Sequence, residues 1–386
     1  MVIRIKSEPS MIPRLAEKLI KKSLDSGKAT ILIGSRQVGK TTLLKKVLKG
    51  TQHIFINGDD PDDRASFSEI NTEKLRRLIG KNQVVFVDEA QRIPNIGLTL
   101  KLITDQLKDV RLLVTGSSAL EINDKTRETL TGRKREFNLY PISWEEYENF
   151  EGIRVAEKNL EDRLIFGMYP EVLYNPGQEY ANLKELTTSF LYKDIFNISG
   201  IRKPEILERL VRALALQIGQ EVSFNELSSL IGVDKLTIMR YVRILEQAFI
   251  CFQLHSYSGN QRNEIKRGCK IYFWDNGIRN QIINNLNPVA LRSDIGALWE
   301  NFLVVERLKW QAIHEINATN YFWRTFQKQE IDFVSEGGGK VMAWEFKWNS
   351  KGKRSLPKNF LEAYKATGFI IDRKNFRSFV CPDSIP

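Results

Sequence analysis

Three cysteines and three histidines are all that 386 residues provide. Cys251, Cys269 and Cys381 are far apart and odd in number. That excludes a disulfide framework and a clustered zinc site, and it fits a reducing cytoplasm. So few histidines also exclude a histidine-built metal centre. No apolar run approaches the roughly 18 residues of a membrane span, and the opening MVIRIKSEPSM holds no secretory hydrophobic region. No membrane partner is expected, and the expected location is cytoplasmic. Internal repeats and low-complexity stretches are missing too. What is there is ordinary for globular protein: 42% hydrophobic and 27% charged residues, enough for two to three domains with their own cores.

Charge is uneven along the chain. Residues 1–150 hold 26 Lys and Arg against 20 Asp and Glu, net +6. Residues 151–258 hold 12 against 14, net −2, and residues 259–386 hold 20 against 13, net +7. If nucleic acid is a partner, the ends of the chain are better electrostatic candidates than the middle.

The most informative stretch is GSRQVGKTT, residues 34–42. The β-branched run Ala29–Ile33 precedes it, and a helical pattern ending at Gly50 follows. Strand, glycine loop and helix in that order are the context a P-loop requires. Gly34, Ser35, Arg36, Gln37, Val38, Gly39, Lys40, Thr41 and Thr42 are the expected nucleotide-binding residues. Their backbone N–H groups and the helix N-terminus favour an anion. Lys40 is placed for the β/γ-phosphates and Thr41 for Mg²⁺, so ATP and Mg²⁺ are the expected cofactors.

A buried-strand run, VVFVDEAQRIPN, ends in Asp88 and Glu89. Asp88 is the expected metal partner, and Glu89 the carboxylate that polarises the attacking water. Next, RLLVTGSS ends in Thr115, Ser117 and Ser118, where Ser117 reads as a sensor of the γ-phosphate or as a turn former. Arg133, after Gly132, reads either as an arginine finger, acting within its own chain or on a neighbouring copy of a homo-oligomer, or as part of a basic loop. Strands are expected at Ala29–Ile33, His53–Asn57, Gln83–Val87 and Arg111–Thr115 in a parallel sheet with helices on both faces.

Residues 221–255 read as a helix-turn-helix with a trailing strand. Helices are expected from Phe224 to Ile231 and from Lys235 to Gln247, with Gly232 at the turn. Leu236, Met239, Val242 and Leu245 form one expected apolar stripe, with Lys235, Arg240 and Arg243 off it. Such a module either enters a DNA groove or serves as a spacer between proteins.

Near the C-terminus, residues 321–348 alternate as a hairpin connected by SEGGGK. Alternation puts Glu330 and Asp332 on one face and Ile331 and Phe333 on the other. Cross-strand pairing brings Asp332 towards Glu345, with Lys347 on the same side and Glu300 on the preceding helix. Glu, Asp and Glu-x-Lys across helix, strand and strand is the PD-(D/E)XK nuclease arrangement. Glu300, Asp332 and Glu345 would hold Mg²⁺, Lys347 would activate water, and Lys351, Lys353 and Arg354 could meet a phosphodiester backbone. The competing reading is a cross-strand salt bridge on a scaffold that cuts nothing.

Across nearly its whole length the chain resembles prokaryotic AAA-type ATPases in which a P-loop domain is followed by a conserved domain of uncharacterised function. The likeness is carried by MIPR (11–14), GSRQVGKTT, VDEAQRIPN, VTGSSALEI (114–122), LTGRKREFNLYPIS (130–143), YFWDNGIRN (272–280), DIGALWEN (294–301), WRT (323–325), EIDFV (330–334) and EFKW (345–348). The family usually has proline where Ser35 stands. The resemblance implies ATP binding and hydrolysis, then a winged helix and a PD-(D/E)XK-like end. The expected fold is therefore α/β. An AAA-like P-loop domain (1–150) precedes a helical linker (151–220), a winged helix-turn-helix (221–258) and an α+β nuclease-like domain (259–386). The leading expectation is a Mg²⁺-dependent ATPase whose C-terminal part engages nucleic acid, as an endonuclease. The alternative is an ATP-driven switch that binds a protein partner.

Overall fold

The computed structural model describes residues 11–68, 71–116, 130–189, 203–258, 268–349 and 355–382. Ser117, Ser118, Lys351, Lys353 and Arg354 lie outside them. The chain divides into two compact units: residues 13–140 with 247–249, and residues 1–12, 141–246 and 250–386.

The first unit is built on a five-stranded parallel sheet. Its strands are β1 (Ala29–Ile33), β2 (His53–Asn57), β3 (Val84–Asp88), β4 (Arg111–Gly116) and β5 (Lys134–Asn138), in the order β2-β3-β4-β1-β5. Each residue of β1 and β3 is buried, as continuous β-branched and apolar runs must be when helices cover both sheet faces. The edge strand β5, KREFN, keeps its charges partly in water. That is ordinary for an edge, and it is why the sequence reads there as a basic loop. Order matters for the site. Because β4 lies between β1 and β3, the end of β4 comes beside both the loop after β1 and the acids at the end of β3.

The second unit holds a seven-stranded mixed sheet, β12-β11-β10-β9-β7-β8-β6. Its strands are β6 (Glu221–Val222), β7 (Cys251–Ser256), β8 (Cys269–Phe273), β9 (Thr319–Arg324), β10 (Glu330–Gly337), β11 (Lys340–Phe346) and β12 (Thr367–Ile371). The 19-residue helix Ile295–Ile313 buries Trp299, Phe302, Leu303 and Val304 in a cluster with Phe333, Trp344 and Phe346. The helices Phe224–Ile231 and Lys235–Gln247 have the expected bounds, with Gly232 left-handed between them (φ 82°). Their apolar stripe differs from expectation. Ile238, Tyr241, Val242 and Leu245 are buried, whereas Leu236 is 76% and Met239 40% exposed. Leu236 and Met239 share the solvent side with Arg240 and Arg243.

The hairpin also departs from simple alternation. Strands β10 and β11 extend into the expected connection and leave a two-residue turn, Gly338-Gly339, with φ 58° and 75°. Positive φ at both positions is what a twist-matched two-residue hairpin demands. Against β9, the pairing of β10 shifts register between Ile331 and Val334. As a result Ile331 and Phe333, expected on one face, pack into two different clusters. A bulge re-aims side chains in this way.

Candidate nucleotide site and C-terminal acidic cleft

The loop after β1 is shaped by close backbone approach. A Cβ on Gly34 would sit 2.2 Å from the Leu139 carbonyl oxygen, because Leu139 N donates to Ile33 O at 2.7 Å. Glycine is therefore compulsory there. Gly39, left-handed at φ 93°, caps the helix Lys40–Val47. Lys40 is buried, and its ammonium folds back over the loop, donating to the carbonyls of Gly34 (2.8 Å) and Ser35 (2.9 Å). Arg14, from the MIPR segment, ties Val38 O and Tyr140 O together, each at 2.7 Å. From sequence, Arg14 was only a member of the MIPR segment. In the rest of the loop Ser35 and Val38 are buried, Arg36 and Gly39 half-buried, and Gln37 exposed at φ 58°. Thr42 faces solvent.

The acids after β3 meet the loop directly. Thr41 Oγ1 donates to Asp88 Oδ2 at 2.9 Å, within 3.1 Å of Oδ1. Thr115, fully buried at the end of β4, donates its hydroxyl to Asp88 and accepts from Glu89 N at 3.1 Å. Glu89 holds a left-handed backbone (φ 47°), a strained state for a side-chain-bearing residue that recurs at functional sites. Its neighbours fix it there. Gln91 donates to Glu89 Oε2 at 2.5 Å, and a Cβ on Gly58 would lie 2.3 Å from Glu89 O. Neither Gln91 nor Gly58 stood out in the sequence, although Gln91 lies inside VDEAQRIPN. A hydroxyl and a carboxylate in contact form a hard-oxygen donor pair of the kind that suits Mg²⁺. Thr41 and Asp88 therefore fit that ion.

Arg133 is not brought to this site. Ala29 pairs with Lys134 and Ile33 with Asn138, so Arg133 precedes β5 at the sheet end opposite the P-loop. It pairs with Asp105 at 2.7 Å. At about 3.3 Å per residue, the length of the strand separates it from its own phosphate loop.

In the second unit, Glu300, Glu330, Asp332, Glu345 and Lys347 line one cleft of about 710 Å³. Asp332 and Glu345 are neighbours across the hairpin, and Phe346 N donates to Asp332 Oδ2 at 2.7 Å. Burial raises the Asp332 carboxyl well above its ordinary value, with help from the charges of Glu300 and Glu345. The acids have partners. Lys347 Nζ donates to Glu345 Oε1 at 2.5 Å. Glu300 Oε1 accepts from Lys270 (2.9 Å) and from the Tyr272 hydroxyl (2.6 Å), and Lys270 also pairs with Glu330 at 2.6 Å. Burial alone would pull the Lys270 ammonium down, but Glu300, Asp332 and Glu330 outweigh it and hold it above the ordinary lysine value. Glu345 Oε2 is buried with no hydrogen-bond partner among the described residues. No group of three or more His, Cys, Asp or Glu among the described residues is arranged to hold a metal ion. The three expected ligands share a cleft, and in this structure Glu300 and Glu345 are engaged by the ammonium groups of Lys270 and Lys347.

The motif WDNGIRN has a structural use. Asp275 caps the helix Asn276–Ile282 and accepts from Met168 N at 2.7 Å. Arg279 reaches Ala215 O and Asp294, and Asn280 donates to the carbonyls of Leu164 and Ile165. These side chains satisfy buried backbone groups that would otherwise be costly.

The family described as an AAA domain matches residues 26–148. Two further families, each described as a domain of unknown function, match residues 157–288 and 295–381. An uncharacterised protein of Mycobacterium tuberculosis is 28% identical over 344 residues, covering 87% of this chain and 74% of its own length. One of Haemophilus influenzae is 22% identical over 341 residues, covering 81% and 80%. The solved structure of a Walker-type ATPase of Pyrococcus abyssi superposes with a TM-score of 0.50 at 16% identity, covering 73% of this chain and 99% of that one; the likeness is one of fold. The chain thus carries an AAA-type P-loop ATPase domain followed by two domains of unknown function. Among the described residues, no helix is long and apolar enough to cross a membrane.

Proposed function

We propose that this chain is an ATP-driven switch that hydrolyses ATP at the P-loop and engages a protein partner through its C-terminal part without cutting nucleic acid. The observation that carries the reading is the contact of Thr41 with Asp88, with Thr115 bridging Asp88 and Glu89. In this reading the loop amides and Lys40 bind the phosphates. Thr41 and Asp88 would hold Mg²⁺, which would supply positive charge to the phosphates. Glu89, fixed by Gln91 and by its own backbone, accepts a proton from the attacking water.

The pairing of Lys347 with Glu345 supports the absence of cutting. Lys347 pairs with Glu345, two residues before it at the end of the same strand, so its ammonium is engaged with a carboxylate rather than with water. The exposed Leu230, Leu236 and Met239 support a protein partner, since apolar side chains gain more from another protein surface than from phosphates. A second reading, a nuclease, is favoured by the buried, unpartnered Glu345 Oε2 beside Asp332. One experiment tests both. The full chain is incubated with ATP and Mg²⁺, with and without plasmid and single-stranded DNA, and phosphate release and strand breaks are scored. Phosphate release with intact DNA is the expected result. DNA breaks that vanish in Asp332→Asn support the nuclease instead, and no phosphate release in any arm overturns the ATPase reading.

A further inference from the structure

Lys270 is the second residue of a strand, CKIYF, of which every residue is buried. Its side chain is 1% exposed. An ammonium leaves water at high cost unless anions surround it. Here they do: Glu300 at 2.9 Å and Glu330 at 2.6 Å, with the Phe322 ring face 5.4 Å away. Tyr272, two residues along the same strand, donates to the same Glu300 oxygen. Arg324 lies 3.8 Å from the other Glu330 oxygen, and Lys347 holds Glu345. Three of the four acids lining the cleft are therefore matched by cations from the protein's own strands. A small divalent ion keeps several of its waters but needs at least one or two carboxylates that are free to turn towards it, and Glu300 Oε1 already accepts from two donors.

We infer that Lys270 is a resident cation that takes the place of a metal in the C-terminal cleft, so that the acid cluster is neutralised by the protein itself and takes up no divalent ion. The inference rests on the non-cutting reading above and gives it a cause. It makes Lys270 a positioning residue: it sets the orientation of Glu300 and Glu330 and the charge of the cleft.

The test is Mn²⁺ titration of the nucleotide-free full chain, followed by the paramagnetic resonance of the free ion. Wild type and Asp332→Asn should bind Mn²⁺ identically, because whatever the P-loop takes is common to both. Lys270→Met removes the ammonium at similar volume. It should gain an additional site at least tenfold tighter than any the cleft shows in wild type, and that site should vanish in Lys270→Met with Asp332→Asn. Wild-type binding that Asp332→Asn abolishes overturns the inference, as does a folded Lys270→Met that gains nothing. If Lys270→Met does not fold, the wild-type and Asp332→Asn comparison decides alone. Strand breaks in DNA with EDTA present would overturn the non-cutting reading and leave the inference standing. Binding through Asp332 with DNA intact would do the reverse.

Discussion

Two groups of carboxylates stand in the two units, and they differ in what holds them. Asp88 and Glu89 are held by neutral donors: the hydroxyls of Thr41 and Thr115 and the amide of Gln91. Glu300, Glu330 and Glu345 are each held by an ammonium group, from Lys270 or Lys347, with the Tyr272 hydroxyl a second donor to Glu300. A hydroxyl can turn from a carboxylate to share a cation with it, as oxygen ligands of Mg²⁺ do. An ammonium cannot, since it has three donors and no acceptor. The first acid group can accept a cation by rearranging one hydroxyl. The second must first expel a charge of the same sign. The kind of partner, more than the number of acids, separates a metal-ready site from a compensated one.

The comparison can be broken at its strongest point by Glu89→Gln. Removing a positioned base without changing shape should lower turnover about 10²- to 10⁴-fold while ATP is still bound, as single-turnover phosphate release and nucleotide titration would show. Hydrolysis at the parent rate would place the base elsewhere. Lys40→Ala removes a charge-assisted donor and should weaken ATP binding by roughly 10- to 100-fold. A fluorescent nucleotide titration reads this, and unchanged affinity would remove Lys40 from the phosphate site. Thr115→Val keeps the volume but strips the hydroxyl between Asp88 and Glu89 N. A buried N–H left without its partner costs about 1–3 kcal/mol, so denaturant unfolding should shift by that amount and turnover should fall with it. An unaltered midpoint would mean that neutral donors are not what sets this site.

The smallest effect sharpens the other side. The folded-state pKa of Asp332 is raised above its ordinary 3.8, so between the two values the folded chain binds more protons than the unfolded one. Stability contributed by this group is present below 3.8 and is lost as pH rises through the raised value. Asp332→Asn, which keeps an oxygen for Phe346 N, should flatten that loss. Its stability relative to wild type should improve as pH rises above 4. A difference that does not change with pH would show that Asp332 is not the group titrating.

Much of the first unit was legible because its determinants are local. Runs such as ATILI and VVFVD are strands by composition, and GSRQVGKT places itself between strand and helix. The edge strand β5 was not legible, since KREFN carries charge suited to water, and its absence from the expected sheet left Arg133 free to be placed near the phosphates. In the second unit, the residue types in the cleft were foreseen, as was a pairing of Glu345 with Lys347 as the competing reading, but Lys270 was not. Lys270 pairs with residues 30 and 60 positions away, and no periodicity reports such pairs. Leu236 and Met239 fit a helical stripe as well as the residues that are buried; only packing against the neighbouring elements chose among them.

The register shift in β10 bears on which changes of length this chain tolerates. Either side of Gly338-Gly339 the strands end in water, so residues added at that tip would lengthen a loop and leave every pairing below intact. Between Ile331 and Val334 the count is fixed by two apolar clusters at once. Losing one residue there would carry Asp332 out of the cleft and an apolar side chain into it, with no change in the chemical character of the sequence. Within eight residues, the same hairpin holds a place where insertion is nearly silent and a place where deletion erases a site. A family of such chains should vary in length at the first and be constant in length at the second.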